Sequence, residues 1–347
     1  MSITKNFVSP FSDPASLDVA ARHFSEIGMN SGFLKSRCYF FKTIELFGSQ
    51  YADYCSIINP VLTLDKISET INSRFNRYLV IFRNILGADS SCDIIEEWVG
   101  RNCFVCYKRM LSRAPYLDIT MSWDGYVAEK RHKFWYNIAR AQKLLKSEWG
   151  NINFKIINDT TEIRKCLPAC MTLYHKNWNR LTSTSFFLTK LGGKFLEDLL
   201  VSLSQISKAE LCVLEQEGNI LAFSVGLKMD STYYFYIFST NKENRYRQYS
   251  VGKILIRHLL QSVFDRGFSK FDFMAGEEPY KHEWTKLSRE RYSYYIVNNR
   301  FLDRVMLSLF LSLDRFILSI KNGKKIRRLL GMMSRVKRNV YPKCASA

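Results

Sequence analysis

Apolar and polar positions alternate along the second half of the chain in a pattern that predicts a regular order of elements. Runs with a period of two, rich in β-branched and aromatic residues, predict strands, whereas apolar residues three and four apart predict helices. A turn at 216–219 joins two predicted strands as a hairpin. Pro168 is expected to kink or divide the first helix. The predicted order is strand 154–157, helices 161–179 and 193–204, strands 210–215, 220–228 and 232–239, helix 251–266, and strands 270–274 and 292–297.

The first half shows shorter and more mixed elements. Alternating short helices and strands indicate an α/β or α+β module. A long helix is predicted after Ser122, with Phe134, Ile138, Ala141 and Leu145 spaced as a buried stripe, and it is expected to connect the two halves. The predicted helices are 14–27, 65–76, 93–99 and 123–149, and the predicted strands are 37–46, 78–82 and 103–107.

Charge is unevenly distributed along the 347 residues, whose formal net charge is +19. Residues 300–347 hold twelve Lys or Arg against Asp303 and Asp314, a local balance of +10. The apolar segment 301–320 carries both acids on one helix face and is predicted to pack on the body of the protein. The basic clusters in 321–343 predict attraction to an anionic membrane surface, with a nucleic-acid patch as the alternative.

The nine cysteines indicate reduced thiols rather than a disulfide framework, because no secretory signal and no uncharged apolar span are visible. These features predict a cytoplasmic protein. Cys103 and Cys106 are assigned to one strand, where residues three apart point to opposite faces. Cys166 and Cys170 share a helix face but lack matching ligands nearby. Buried thiols are therefore expected, and no metal site.

The loop before the helix at 251–266 has features of an anion site. Ser250 is predicted as the N-cap, and Gly252 removes a side chain from the first turn. Free backbone N–H groups at a helix start bind phosphates, and Arg245, Arg247 and Lys253 add positive charge. The spacing is neither a P-loop nor a dinucleotide fingerprint, so an ordinary capped helix is the alternative.

The run from Phe271 to Trp284 is the richest in candidate chemistry. Phe271 and Phe273 alternate with Asp272 as a short strand, which breaks at Ala275-Gly276 into a polar loop with acids, a tyrosine and a lysine. A strand that ends in ionisable groups is a common place for catalytic residues.

The order of elements and several local motifs together resemble the GNAT superfamily, specifically the CelD/BcsL-type acetyltransferases of cellulose biosynthesis. The final run is also similar to the lysine-bearing element of Fem-type aminoacyl transferases, which pair two GNAT-like halves. The matching motifs are Ser122-Trp-Asp-Gly-Tyr126, Asn137-Ile-Ala-Arg140, Leu173-Tyr-His175 with Trp178, Asn219-Ile-Leu-Ala-Phe223, Tyr249-Ser-Val-Gly252, and Phe271-Asp-Phe with Gly276-Glu, Tyr280-Lys281 and Trp284.

The resemblance implies a mixed, mostly antiparallel GNAT-like α/β (α+β) sheet flanked by helices, in two halves followed by a basic helical tail. The expected divisions are a degenerate GNAT-like half at 1–120, a connecting helix at 121–150, an acyltransferase domain at 151–300 and the tail at 301–347.

The resemblance also assigns roles to residues. Acetyl-CoA or another acyl-CoA is the implied co-substrate, with its acyl group between the strands at 232–239 and 270–274. Acyl transfer needs a base and a group that stabilises the oxyanion or protonates the leaving group. Asp272 and Glu277 are the candidate bases, with His175 as a further one, Lys281 is the charge stabiliser and Tyr280 is the acid. The alternative roles are a loop cap for Asp272, an ion pair with Glu277 or Glu278 for Lys281, and packing on its helix for His175. The expected cofactor-binding residues are Arg247, Tyr249, Ser250, Val251, Gly252 and Lys253. The expected acceptor-binding residues are Arg140, Trp178 and Trp284. The alternative role of the two tryptophans is in the core or the pocket wall.

The predicted function is transfer of an acyl group, with acetyl expected, to a sugar or a nucleotide- or lipid-linked sugar in polysaccharide or envelope biosynthesis. The expected location is the cytoplasm, at the inner face of the membrane. Two alternatives remain open at this point. One is a Fem-like transferase that uses aminoacyl-tRNA, the only case in which nucleic acid is an expected partner; the other is a non-catalytic membrane-associated accessory protein.

Overall fold

Within the described residues, ten strands form one continuous sheet that runs through both halves of the protein. The computed structural model describes residues 9–24, 33–38, 41–46, 51–57, 60–72, 77–178 and 185–322. The strands are β1 Phe33–Cys38, β2 Phe41–Leu46, β3 Tyr78–Leu86, β4 Val105–Asp118, β5 Ile152–Ile157, β6 Ala209–Gln216, β7 Asn219–Met229, β8 Thr232–Thr240, β9 Lys270–Asp272 and β10 Ser288–Val297.

Helices cover both faces of this sheet, as expected for strands that are apolar on both sides. In the described part of the chain, short 3₁₀ segments accompany them at Pro10–Ser12, Phe186–Leu188 and Asn244–Tyr249. The helices are α1 Pro14–Phe24, α2 Pro60–Ile71, α3 Ser91–Arg101, α4 Trp123–Glu129, α5 His132–Trp149, α6 Thr160–Trp178, α7 Lys190–Gln205, α8 Val251–Asp265, α9 Pro279–His282 and α10 Phe301–Asn322.

The order of strands repeats one pattern in each half. Across the sheet it is β1-β2-β3-β10-β4-β9-β8-β7-β6-β5. Neighbouring strands are antiparallel except for β2 with β3 and β8 with β9, which are parallel. Helix α2 connects β2 to β3, and helix α8 connects β8 to β9. The next strand across the sheet is antiparallel in both cases, β10 beside β3 and β4 beside β9. The predicted mixed, mostly antiparallel GNAT-like sheet is confirmed.

Side chains from alternate strand positions enter different cores. On β6, Leu211 and Val213 pack with α6 and α7, whereas Cys212 and Leu214 pack with α5 and α8. On β3, Val80 belongs to the same core as Leu211 and Val213, whereas Leu79 and Ile81 pack with α10. This period of two leaves the strands buried on both faces and fixes their register.

The predicted order of elements in the second half is confirmed from β5 to β10. Two details differ. Pro168 lies inside a single helix, α6, and does not divide it. The predicted loop after β9 contains a short helix, α9, because Pro279 occupies its first turn, where the missing N–H is tolerated.

The predictions for the first half needed more correction. The segment predicted as one strand at 37–46 forms two antiparallel strands, β1 and β2. The strand predicted at 103–107 is longer, and Cys103 precedes it with φ of 52°, so Cys103 and Cys106 do not share a strand. The helix predicted at 65–76 is α2, which begins earlier, at Pro60, and ends at Ile71 before a turn at Asn72. The predicted helix ends at 25–27 and 73–76 lie outside the described residues.

The long helix predicted at 123–149 is two helices. Ser122 caps the first as expected, since its Oγ accepts a hydrogen bond from Gly125 N at 3.2 Å. Lys130 then adopts an extended conformation, and its Nζ donates to Trp284 O at 2.7 Å. A contact with a distant loop therefore interrupts a helical pattern that is continuous in the sequence.

The tail helix α10 packs on the outer face of the first half, as predicted for this segment. Leu307, Phe310 and Leu311 are buried against β2, β3 and β10. No helix within the described residues is long and apolar enough to cross a membrane.

Candidate active site

The site is built where β8 and β9 separate. These parallel strands are paired only from Thr232 with Lys270 to Tyr234 with Asp272. Beyond that point β9 ends, while β8 continues to Thr240. The chain after β9 pairs instead with β4, since Phe273 N donates to Pro115 O at 3.0 Å. The separation opens a gap between β8 and the chain that follows β9.

Asp272 holds the turn at the end of β9. Its side chain is fully buried, accepts from Met274 N and Tyr54 Oη at 2.7 Å each, and pairs with Arg289. Met274 has φ of 61°, an uncommon conformation for a residue other than glycine, and the bond to Asp272 stabilises it. Burial raises the pKa of Asp272, and Arg289 opposes that shift. Its acceptor atoms are therefore used within the protein.

Lys281 closes the loop that follows. It is 4% exposed, and its Nζ donates to Ala275 O at 2.6 Å and pairs with Glu278 at 2.9 Å. Its helix, α9, thus supplies a buried cation beneath the loop. Gly276 has φ of 106°, which favours glycine, and an added Cβ there would lie 2.6 Å from Glu278 Oε2.

A cavity of about 570 Å³, the central cavity, lies between the two halves beside this loop. The second half contributes most of the aromatic wall together with Lys281 and Arg291, and the first half contributes Tyr51, Asp53 and Asn84. Aromatic surfaces combined with converging polar groups are typical of a ligand site. The aromatic wall consists of Tyr51, Tyr174, Phe186, Phe187, Phe235, Tyr236, Phe238, Phe273 and Tyr280.

Asp53 is the ionisable group of this cavity that sequence reasoning missed. Its Oδ2 accepts from Ala275 N at 3.2 Å, and Arg291 donates to its backbone carbonyl at 2.9 Å. Burial raises the pKa of Asp53 to about 6, against the opposing effects of Arg291 and Lys281. A carboxyl group with this pKa is half ionised at about pH 6 and mostly ionised at neutral pH, as a general base requires.

The signal for Asp53 in the sequence is weak. It lies in 51–57, a segment without a helical or strand period between β2 and α2. Only the fold brings it to the loop after β9, 222 residues further along the chain.

A second cleft, the α8 cleft, of about 710 Å³, lies at the start of α8. The first turn of a helix leaves N–H groups without intrahelical acceptors, so this end suits an anion. Ser250 adopts φ of 48° without making the predicted side-chain cap bond. Of the predicted cofactor-binding residues, the α8 cleft is lined by Arg247, Ser250, Val251, Gly252 and Lys253.

Two of those predicted residues also have structural roles. Tyr249 is buried, and its hydroxyl bonds Trp149 at 3.1 Å and Gln248 at 2.8 Å. Gly252 faces β8, since an added Cβ would lie 2.8 Å from both Phe238 and Thr240. A substitution at Gly252 would therefore disturb the protein itself as well as any ligand.

Tyr280 links the central cavity to the α8 cleft. It lines both of them together with Phe238 and Glu278. Burial raises the pKa of its hydroxyl, which therefore stays protonated at neutral pH. Tyr280 therefore presents a protonated hydroxyl between the start of α8 and the central cavity.

The remaining predicted site residues lie elsewhere. Glu277 is exposed and outside the central cavity. His175 makes a 3.2 Å hydrogen bond with Phe187 O. Trp284 is fully buried among aromatic rings of α5, with Phe134 at 5.0 Å. Trp178 ends α6, and its side chain lies outside the described part.

Arg140 lies on the other side of the start of α8. It lines a cleft of about 510 Å³ that shares Ser250 and Lys253 with the α8 cleft. Lys253 pairs there with Glu283 at 2.5 Å. The described residues contain no group of three or more His, Cys, Asp or Glu arranged to hold a metal ion.

A parallel pair that separates in front of a helix start, in a mostly antiparallel sheet, defines a GNAT-like transferase fold. Residues 132–282 match the family model described as acetyltransferase (GNAT) domain. The chain therefore carries a GNAT-type acetyltransferase domain over that range. No curated protein sequence matches the chain significantly.

Solved structures extend the similarity to both halves. The C-terminal domain (DUF2156) of a protein described as a lysylphosphatidylglycerol synthetase from Agrobacterium fabrum aligns with a TM-score of 0.53 and 11% identity, covering 86% of this chain and 94% of that chain. The structure of L-PGS from Bacillus licheniformis aligns with a TM-score of 0.50 and 14% identity, covering 89% and 99%. FemX aligns with a TM-score of 0.53 and 9% identity, covering 87% and 95%. At these identities the likeness is one of fold.

Proposed function

We propose that this protein transfers an acyl group, with acetyl expected, from an acyl-CoA to an amine or hydroxyl of a sugar-type acceptor. The observation that supports it most is the junction at Tyr280, where a helix-end cleft suited to phosphates meets a cavity that contains Asp53. The GNAT domain match over residues 132–282 supports the CoA donor.

In the proposed reaction, the acceptor occupies the central cavity and the donor thioester lies in the gap between β8 and β9. Asp53 takes the proton from the acceptor nitrogen or oxygen as that atom attacks the thioester carbon. The carbon–sulfur bond then breaks, and Tyr280 protonates the departing thiolate. Lys281 stabilises the negative charge that develops near the loop. Asp272 is proposed to act as a positioning residue, because its oxygens are bonded to Tyr54, Met274 and Arg289.

The proposed donor contacts lie at the start of α8. Its pyrophosphate would meet the N–H groups of the first turn, with Arg247 and Lys253 as countercharges. Arg140 is proposed to add a further cation from the neighbouring cleft.

The proposed acceptor is a sugar, free or linked to a nucleotide or lipid phosphate. Aromatic faces suit the C–H faces of a sugar ring, and Asn84 and Arg291 supply polar contacts. Membership in the CelD/BcsL-type group, a role in polysaccharide or envelope biosynthesis, and a location at the cytoplasmic side of a membrane belong to the same proposal. So do the division into two GNAT-like halves and the roles of Glu277, His175, Trp178 and Trp284 as site residues.

A second candidate is a transferase that takes its acyl group from aminoacyl-tRNA. FemX aligns over 87% of this chain, which includes the first half as well as the GNAT-matched range. The net charge of +19 favours binding of a polyanion. The similar structure from Agrobacterium fabrum is described as a lysylphosphatidylglycerol synthetase, a name that indicates transfer of a lysyl group.

Calorimetry with acetyl-CoA, desulfo-CoA and charged tRNA separates these candidates. Ser250→Asp places a negative charge at the start of α8, where it suits the helix but repels phosphate, and Ser250→Asn is its neutral, similarly shaped control. Binding of acetyl-CoA that is lost in the Asp variant and kept in the Asn variant is the expected result. Binding of charged tRNA alone would favour the second candidate, and binding of neither ligand would contradict both and favour an accessory protein.

A further inference from the structure

The outer face of α10 carries exposed apolar side chains that the fold does not use. Leu307, Phe310 and Leu311 anchor the helix on the sheet, and a second apolar set faces away from it. This outward set is separate from both clefts of the proposed reaction, so the inference does not depend on that reaction. The outward side chains, with their exposed fractions, are Phe301 76%, Leu302 50%, Val305 40%, Leu309 49% and Leu313 40%.

Both acidic residues of α10 are turned inward. Asp303 is 2% exposed, and its Oδ1 lies 3.5 Å from Arg77 Nε. The Asp314 side chain is 33% exposed and pairs with Arg109 of β4 at 2.6 Å. Both acids therefore face cations of the body, and the outward face between residues 301 and 315 carries no other carboxylate.

Cations and serines occupy the stripe next to the apolar one. Arg304, Ser308, Ser312 and Arg315 are exposed on this side of the helix. At 100° per residue they lie beside the line formed by Leu302, Val305, Leu309 and Leu313, and Phe301 lies on the side of Ser308 and Ser312. After Phe301, the exposed surface of α10 is thus divided lengthwise into an apolar stripe and a cationic, hydroxylated one.

The sequence continues this pattern beyond the described side chains. The spacing of the apolar stripe recurs at Phe316 and Ile320. Residues 321–347 then contain nine Lys or Arg and no Asp or Glu.

We propose that α10 lies flat on an anionic lipid bilayer, with the stripe that includes Leu309 and Leu313 inserted among the lipid chains. A helix with an apolar stripe and flanking cations binds such a surface through buried apolar area and attraction to anionic headgroups. A second copy of the protein would instead bring further cations to a face without acids. The charge of the exposed surface therefore fits anionic lipid better than self-association.

Vesicle flotation with the full chain tests this surface. Leu309→Glu/Leu313→Glu changes the apolar stripe, and Ser308→Glu/Ser312→Glu adds the same charge to the neighbouring stripe of the same helix. Because only the first pair also removes apolar insertion, we expect it to weaken partitioning into phosphatidylglycerol-containing vesicles about tenfold more than the serine pair. If both variants lost the same amount of vesicle binding, the basic tail alone would attract the protein to the vesicles, and the proposal would be overturned.

A second measurement keeps the test independent of variant folding. Phe301→Trp places a fluorophore on the most exposed apolar position, and its emission should shift to the blue with anionic vesicles but not with phosphatidylcholine vesicles. An unchanged emission with both would overturn insertion. The proposal would also be overturned if light scattering showed that the wild type is a dimer, that Leu309→Glu/Leu313→Glu dissociates it, and that the wild type does not bind vesicles. Donor binding by every variant should equal that of the wild type, which separates this inference from the proposed reaction.

Discussion

Tyr54 donates a hydrogen bond of 2.7 Å to Asp272, and this bond joins the segment after β2 to the end of β9. Tyr54 is fully buried and directly follows Asp53 in the chain. Asp272 in turn bonds Met274 N in the turn that leads to Ala275, which donates to Asp53. The two halves of the protein are thus fixed to each other at the proposed base.

Asp272→Asn should therefore act mainly through stability. The substitution leaves the partly buried Arg289 without its carboxylate, and breaking such a pair costs about 3 kcal/mol or more. Tyr54→Phe removes one hydrogen bond and keeps the ion pair, so it should cost about 1 kcal/mol. Urea denaturation measures both. Unchanged stability with lost turnover in Asp272→Asn would instead make Asp272 a catalytic residue.

The activity should depend on pH through Asp53. Its pKa is raised to about 6, and a base acts only when ionised. We expect kcat/KM to fall about tenfold per pH unit below this pKa and to level off above it. Asp53→Asn should remove most activity, while Asp65→Asn, at an exposed acid of α2, should leave it near wild type. A profile that keeps its acid limb in Asp53→Asn would assign the base elsewhere.

The same carboxyl group should lower stability at neutral pH. Because its pKa is higher in the folded state than in the unfolded chain, the folded state binds the proton more tightly. The resulting stabilisation is complete below the unfolded pKa and is lost as pH rises through about 6. Asp53→Asn should thus gain on the order of 1–3 kcal/mol over the wild type near neutral pH, with the gain shrinking in acid. Thermal melts across pH would contradict this if the gain were constant.

Lys281→Met should loosen the loop and slow the reaction. It leaves Ala275 O and the Glu278 carboxylate without the ammonium that now contacts them. If Lys281 also stabilises the oxyanion, kcat should fall about a hundredfold. Lys286→Met, at an exposed position nearby, is the control and should be neutral. Equal kcat in the two variants would leave Lys281 without a catalytic part.

Two adjacent glycines in the first turn of α7 should respond in opposite directions to alanine. A Cβ at Gly192 would lie 2.1 Å from the backbone oxygen of Phe186, whereas a Cβ at Gly193 meets no atom within 4 Å. Gly192→Ala should cost about 2 kcal/mol or more because the backbone must shift. Gly193→Ala should stabilise by about 0.5–1 kcal/mol through reduced chain entropy. Denaturation midpoints decide the sign at each position.

The regular part of the fold could be predicted from local patterns. In the second half, the apolar residues keep the spacing of a strand or a helix over long segments. The turn at 216–219 and Gly267 after α8 mark where such segments end. The corrections arose where distant contacts overrule local preference. Lys130 is drawn to Trp284 O and interrupts a continuous helical pattern, and Pro279 starts a helix where a loop was expected.

The sequence by itself determined the order of elements in the second half and the GNAT-like sheet, and it indicated the run from Phe271 to Trp284 as a candidate site, because each depends on residues close together in the chain. Only the tertiary structure decided which of those groups share a cavity. Asp272 is enclosed by its hydrogen bonds, while Asp53, 222 residues before the Ala275 that donates to it, faces the central cavity with a raised pKa. Burial and the convergence of distant segments set that difference, and neither is encoded by local spacing.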